Sequence, residues 1–446
     1  MHARSGPLWT GCRTGLKCRV SVGNHSGWTA LECQTVSLDM TASTGIPGGV
    51  MQRFSASCVT VILFAVSFAC SAGPRAEDGG NGAAEQGLFL STPRKLLPFV
   101  VMESGRVLAS GGHDGSRTLG SCEVFEPETG RWRETGALRT RRRNHAAVRL
   151  TDGRVLVMGG SNGLAMGALA DAEVYAPDTG TWTEVRPMGV ARNDPAAVLL
   201  ADGRVLVAGG TDVDQRPLRS AELFDPATGM WSAASPPGFS RGGAQTAVVL
   251  ANGKALFVSG LQAELYDPVT GLWEKAGLTG GAAGTHRLAH SVTLLPDGRV
   301  LVVGGTTARA AATAEVYSPE TGVWTLVGAP KVPREHHATV VLPDGAVLMM
   351  GGEHYTTGAL ASVERFDLKT ETWSSAPALD EPREKLGALA LGDGAVLVMG
   401  GGNEAAGMLS ESERYVPDAC VVAPCAAREL GGAEAVMELS VAGQVE

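Results

Sequence analysis

The chain has 446 residues, of which 44% are hydrophobic and only 5% aromatic, with 60 glycines and a formal net charge of -9. Mean hydropathy is near zero at +0.06, and the glycine content fits many short strands and tight turns better than long helices. The modest acidity excludes a nucleic-acid partner, which would need concentrated Lys and Arg; the one basic cluster, Arg139 with Arg141 to Arg143, is local and reads as a solvated loop.

Residues 1–50 carry Cys12, Cys18, Cys33, Trp9 and Trp28 without strand or helix periodicity, and they precede Met51. From Met51 the pattern changes to a short basic start at Gln52-Arg53 and an apolar run from Val59 to Ala69. That layout, over residues 51–70, is expected to be a secretory signal peptide, too short for a membrane span of ~20 apolar residues. Translation is then expected to start at Met51, with residues 1–50 a mis-assigned start or a disordered extension. Cys70, after Ala69 and before Ser71-Ala72-Gly73, resembles a bacterial lipoprotein processing site, although Ser67 and Phe68 depart from its pattern. Lipidation of Cys70 and simple cleavage beside it both imply an exported bacterial protein, attached to a membrane by a lipid in the first case and periplasmic or secreted in the second. Residues 71–87, rich in Gly, Ala, Asp and Glu, form an expected flexible tether.

A different pattern follows. The stretch from Asn144 to Thr183 holds four short strand signals: the apolar run His145 to Leu150, the run Arg154 to Met158 stopped by Gly159-Gly160, Ala172 to Tyr175, and a last strand carrying Trp182. Asp152-Gly153 between the first two predicts a two-residue hairpin with both turn residues at positive φ. The unit recurs. Glycine pairs or their near equivalent stand at Gly111-Gly112, Gly159-Gly160, Gly209-Gly210, Ser259-Gly260, Gly304-Gly305, Gly351-Gly352 and Gly400-Gly401. Trp132, Trp182, Trp231, Trp273, Trp324 and Trp373 keep the same spacing, as do the Asp-Gly or Asn-Gly turns before each second strand.

Paired Gly, Tyr or Phe before Asp/Ala-Pro, Thr-Gly and one Trp per ~50 residues resemble kelch repeats. The resemblance covers residues from about 94 to 417 and implies an all-β fold, a seven-bladed β-propeller of four-stranded kelch-type blades. The propeller domain is expected over 88–430, with 431–446 a C-terminal tail. The seventh repeat lacks its Trp, so its outer strand is either a degenerate one near Val422 or is supplied by Gly87 to Ser91 from the other end of the chain. Cys122, Cys420 and Cys425 fall in the first and last repeats, and a disulfide among them is a further expectation.

Strand direction places the start of strand one and the end of strand two on the same face of each blade. The loops there vary, the step from the second Gly to the third-strand Glu running from 4 to 13 residues, and variable loops on a rigid scaffold commonly carry binding. Arg141, Arg192, Arg241, Arg334 and Arg383 recur ahead of strand one, with His145, His290 and His337 at its start. In kelch propellers that bind peptides such residues line the central channel, so the resemblance implies ligand contacts there; the alternative is structural pairing between blades. The fourth repeat has a shortened loop at Leu261-Gln262-Ala263 and a long connection at Gly277 to Arg287, which suggests a recess bordered by Arg241, His286 and Arg287. The leading expectation is an exported binding or scaffold module for a protein or glycan, with no cofactor and no catalysis. The alternative is a carbohydrate-active or metal-dependent enzyme resembling galactose oxidase. The copper radical oxidases among kelch-like propellers need Tyr, Cys and two His at the axis, and here His286, His290, His336, His337 and His354 are the available imidazoles, with Tyr355 the one tyrosine outside the repeat position.

Overall fold

Each second strand is an unbroken apolar run, such as Val155–Met158, because it is covered on both faces: all four residues of Val155–Met158, Val205–Ala208, Val300–Val303, Val347–Met350 and Val396–Met399 are 0% exposed. The computed structural model describes residues 88–163, 167–240, 242, 246–260, 262–278, 287, 289–305 and 313–417. In these residues the runs are the second strands of seven antiparallel sheets. Blade 2 represents the others: Ala146–Arg149, Val155–Met158, Ala172–Ala176 and Thr181–Val185 pair in chain order. Short hairpins, Glu353–His354 with Gly358–Ala359 and Gly402–Asn403 with Gly407–Met408, decorate blades 6 and 7.

First strands of consecutive blades touch one another, from Phe99–Val101 in blade 1 through to Gly387–Ala390 in blade 7, so they are the innermost strands around a central axis. Apolar side chains fill the space between blades: Val100, Leu108 and Val124 of blade 1 pack on Val155, Val157, Tyr175 and Trp182 of blade 2. The result is a seven-bladed β-propeller.

Blade 7 meets blade 1 in two ways. Near the axis the Gly401 amide donates to the Arg94 carbonyl at 3.1 Å and Lys95 pairs with Glu384 at 3.0 Å. At the rim, Leu90 N donates to Ser410 O and Ser412 N to Leu88 O, both at 2.8 Å. Leu90, 2% exposed, packs with Phe125, Trp132, Leu397 and Met399. Residues 88–90 thus supply pairing at the outer side of blade 7, covering an edge that would otherwise expose unpaired backbone groups.

The Asp-Gly turns differ from expectation. In blade 2 Gly153 N donates to Leu150 O at 3.1 Å, and Leu150 N to Arg154 O at 2.8 Å. Only Gly153 has positive φ (85°). The loop is therefore a type I turn followed by a left-handed glycine, the three-residue hairpin geometry, and the Asp152 carboxylate accepts from Arg154 N instead of adopting positive φ itself.

Each Trp faces a third-strand aromatic directly across the sheet, as Trp182 does Tyr175 with ring centroids 5.0 Å apart. In blades 2 to 5 its indole N–H reaches a backbone carbonyl of the preceding blade, as Trp182 to Gly136 O at 2.8 Å, Trp273 to Ser235 O at 2.7 Å and Trp324 to Ala276 O at 2.6 Å, whereas Trp132 donates to the Ser412 hydroxyl and the Trp373 N–H finds no partner among the described residues. One side chain thus joins strand packing to blade docking. Replacing Trp182, 8% exposed, with Ala is expected to destabilise the propeller by about 3–5 kcal/mol in urea unfolding; a loss under ~1 kcal/mol would mean that the indole is not part of the core.

Candidate functional site

The arginines ahead of strand one turn inward. Arg142, Arg192, Arg287 and Arg383 are 0% exposed and Arg334 is 2% exposed. In blade 2, Arg142 donates through Nη1 to Gly159 O at 2.9 Å and Asp171 O at 3.0 Å, and through Nη2 to Glu173 at 2.9 Å. Equivalent ion pairs join Arg94 to Glu123, Arg192 to Glu222, Arg287 to Glu315 and Arg334 to Glu364 at 2.5–2.9 Å. Arg383 instead uses the Gly400 and Glu411 carbonyls. The repeat position in blade 2 is held by Arg142, and the expected Arg141 is an exposed neighbour. Sequence reading missed Arg94 altogether and gave Arg287 a place at a recess, whereas it is bonded inside blade 5. These guanidiniums are buried within their own blades and closed to a ligand, although the Nε of Arg142, Arg192 and Arg287 finds no hydrogen-bond partner among the described residues.

The expected histidines are also interior groups. His145 and His290 are 6% and 5% exposed. Their rings bridge to the preceding blade, His145 to Ser110 at 3.2 Å, His290 to Thr246 at 3.4 Å and His337 to Ser291 at 2.9 Å. Burial pushes the His145 imidazole well below its usual value, with Arg142 adding to it. Burial, then Arg334, His290 and His336, bring His337 down to about 3. Arg241, His286, Cys70, Cys420 and Cys425 lie outside the described residues, as do the signal-peptide, tether and tail segments. Cys122 is a buried free thiol whose Sγ donates to Gly120 O at 3.6 Å; burial pushes it up to about 11.

What does face the axis is set by the two residues after each buried arginine. The second has positive φ without being glycine: Leu96, Asn144, Asp194, Ala289, His336 and Lys385 have φ of 50–62°, a conformation that costs energy unless its surroundings hold it. Here bonds between blades hold it. Asn144 N donates to Leu96 O, Asp194 N to Asn144 O, His336 N to Ala289 O and Lys385 N to His336 O, at 2.9–3.1 Å. These residues lead into the innermost strands, so their backbone ring marks one mouth of the central channel. The first of the two residues pairs with the residue beyond the glycine pair: Lys95 with His113, Arg143 with Ser161, Asn193 with Thr211, Glu335 with Glu353 and Glu384 with Gly402.

In blade 6 these positions hold Glu335, His336 and Glu353, all part-buried, with ligand atoms within 4.8 Å of one another. His336 Nδ1 lies 2.7 Å from Glu353 Oε1. From there a chain of charges crosses to blade 1: Lys385 Nζ is 3.6 Å from Glu353 and 2.8 Å from Glu384, whose other oxygen is 3.0 Å from Lys95 Nζ. Burial pushes the Glu384 carboxyl up, but hydrogen bonds from Lys385 and Lys95, with the neighbouring Glu353 carboxyl acting in the same direction, outweigh it and hold it at about 2. Burial raises Glu335, opposed by His336 and assisted by Glu353. His336 was among the imidazoles that the sequence offered; Glu335 and Glu353 were missed, and comparing the same two repeat positions across blades would have found blade 6 to be the one with an acid at both.

A family model described as Kelch motif matches residues 104–138, 142–189, 194–238, 287–330 and 336–379. No curated protein matches the sequence. Among solved structures, a fungal alcohol oxidase of the AA5 family in complex with copper has the same fold, with a TM-score of 0.62 and 19% identity over 75% of this chain and 77% of that one. The likeness extends to the fold. Together with the Glu335–His336–Glu353 cluster, it corrects the expectation of a non-catalytic module recognising a protein or glycan, and with it the expectation that the chain is not an enzyme.

The buried imidazoles give a pH test. An unfolded His takes up a proton near 6.5, whereas His337 in the folded chain does so only at about 3 and His145 is likewise depressed. Between those values the unfolded state binds more protons, so stability that is fully present above about pH 6.5 declines as pH falls. The urea midpoint is expected to drop from pH 7 to pH 5, and the double variant His145→Gln, His337→Gln to flatten that dependence; an unaltered slope would show that other groups set it.

Proposed function

We propose, from the premise that this chain belongs to the kelch-repeat β-propellers, that it is a metal-dependent enzyme with copper-oxidase-like activity on a small alcohol or glycan-type substrate. The observation that carries this reading is the convergence of Glu335, His336 and Glu353 at the channel mouth of a fold shared with a copper-bound alcohol oxidase. One imidazole and two carboxylates suit a divalent first-row ion, and of these copper(II) binds such nitrogen and oxygen sets most tightly. A bound ion of this kind would polarise a substrate hydroxyl and, if redox-active, take part in its oxidation.

The residues do not fit the tyrosine–cysteine arrangement of copper radical oxidases. Cys122 is buried in the third strand of blade 1. Tyr175, Tyr266 and Tyr317 pack against tryptophans, Tyr415 is 4% exposed, and Tyr355 stacks on His354 in an exposed turn. Among the described residues the mouth therefore offers metal ligands without a Tyr–Cys pair. Glu335, His336 and Glu353 would hold the ion, and Lys385, bonded to Glu384, keeps a positive charge beside Glu353. Export also remains our proposal, resting on the Met51 to Cys70 segment.

The test is metal retention joined to turnover. After equilibration with copper(II) and dialysis, one ion per chain is expected in the parent protein and none in the His336→Ala, Glu353→Ala double variant. Dioxygen consumption with a panel of primary alcohols and aldoses is expected from the copper-loaded parent only. Equal retention by both proteins, or a fully loaded parent inert on every substrate, would overturn the reading.

A further inference from the structure

The channel mouth is chemically lopsided. Blade 6 carries the carboxylates and imidazole, whereas blades 1 and 2 carry Lys95, His113 and Arg143 at the equivalent positions. Lys95 belongs to the ion-pair chain that ends at Glu353, so the basic arc and the metal cluster are contiguous. Arg143 differs from the six buried arginines. Its backbone pairs with Ser161 at 2.9 Å in both directions, but its part-buried guanidinium has no hydrogen bond or ion pair among the described residues. Its field, with that of Lys95, adds to burial in pushing the His113 imidazole down.

Charge accounting gives this arc a direction. A divalent ion cancels Glu335 and Glu353. Lys95 and Lys385 outnumber the single Glu384 between them, and Arg143 adds another positive charge, so that even with Asp194 on blade 3 counted these described residues keep a net positive charge. Among the described residues the loaded mouth is cationic, and the unpaired Arg143 fork there is of the kind that takes a carboxylate in two parallel hydrogen bonds.

We infer that the enzyme's substrates are anionic hydroxy compounds, sugar acids or hydroxycarboxylates, whose carboxylate docks on Arg143 beside His113 and Lys95 while the hydroxyl-bearing end faces blade 6. This rests on the metal-site reading for the reactive end only; the carboxylate anchor stands on blades 1 and 2.

The test measures binding of galacturonate and gluconate against galactose and sorbitol by calorimetry, with and without copper(II). The acids are expected to bind at least roughly tenfold more tightly than their neutral counterparts, a preference weakened by added salt. Arg143→Ala is expected to abolish the preference and Arg143→Lys to keep part of it, both with thermal midpoints within a few degrees of the parent. Should Arg143→Ala unfold, Arg143→Lys and His113→Asn carry the same comparison. Acid preference that depends on Arg143 while copper is not retained would uphold the anchor and defeat the metal reading. Retained copper with equal binding of acids and neutral sugars, or a preference unmoved by Arg143→Ala, would overturn the inference and leave the metal reading standing.

Discussion

A guanidinium with no access to water, bonded to a carboxylate that is equally buried, organises blades 1, 2, 3, 5 and 6. Arg142 ties its own glycine pair to Glu173, and Glu173 in turn accepts the Arg139 and Thr140 amides of the connection arriving from blade 1. Glu222 does the same for Gly189 and Val190, and Glu364 for Lys331 and Val332. The arginine carbonyl then accepts from the second glycine of the preceding blade, as Arg192 does from Gly160. Burial lowers the arginine's proton affinity and the glutamate offsets that only in part, so neither charge is tolerable alone. Removing one partner of such a pair typically costs about 3–5 kcal/mol. The glycines follow from this: a Cβ on Gly351 would lie 2.6 Å from the Arg383 carbonyl oxygen.

That constraint also explains where chemistry can vary. The buried arginine fixes the backbone of the next two residues, whose amides and carbonyls close a ring around the channel, but leaves their side chains free. Blades 5, 6 and 7 therefore present Ala289, His336 and Lys385 on the same positive-φ backbone. Identical scaffolding with different side chains is how a repeat protein builds an asymmetric site. The metal cluster on blade 6 and the basic arc on blades 1 and 2 occupy these unconstrained positions.

Much of the fold was legible because it rests on local chemistry. The glycine pairs and the apolar second strands each report a backbone or packing requirement repeated seven times, and the Trp spacing one repeated six times. The site was legible only in part. Recurrence drew attention to Arg192, Arg334 and Arg383, yet recurrence reports scaffolding, and those side chains proved to be buried. Glu335 and Glu353 lie 18 residues apart in the chain and meet only through an antiparallel bridge, so neither stands out alone. Arg287 shows the converse: placed beside an unusual loop, it suggested a recess, whereas its partners Gly304 and Glu315 lie within the blade.

The central claim is that scaffold and site are separate sets of residues, the recurrent Arg and His inside the blades and a metal centre at the blade 6 position of the channel mouth. Anomalous diffraction at the copper edge from crystals of the copper-loaded protein tests this most directly. The account predicts one strong peak bonded to His336 Nδ1 and to carboxylate oxygens of Glu335 and Glu353. A peak centred on His145 or His337, or copper retained in solution with no peak at blade 6, would contradict it.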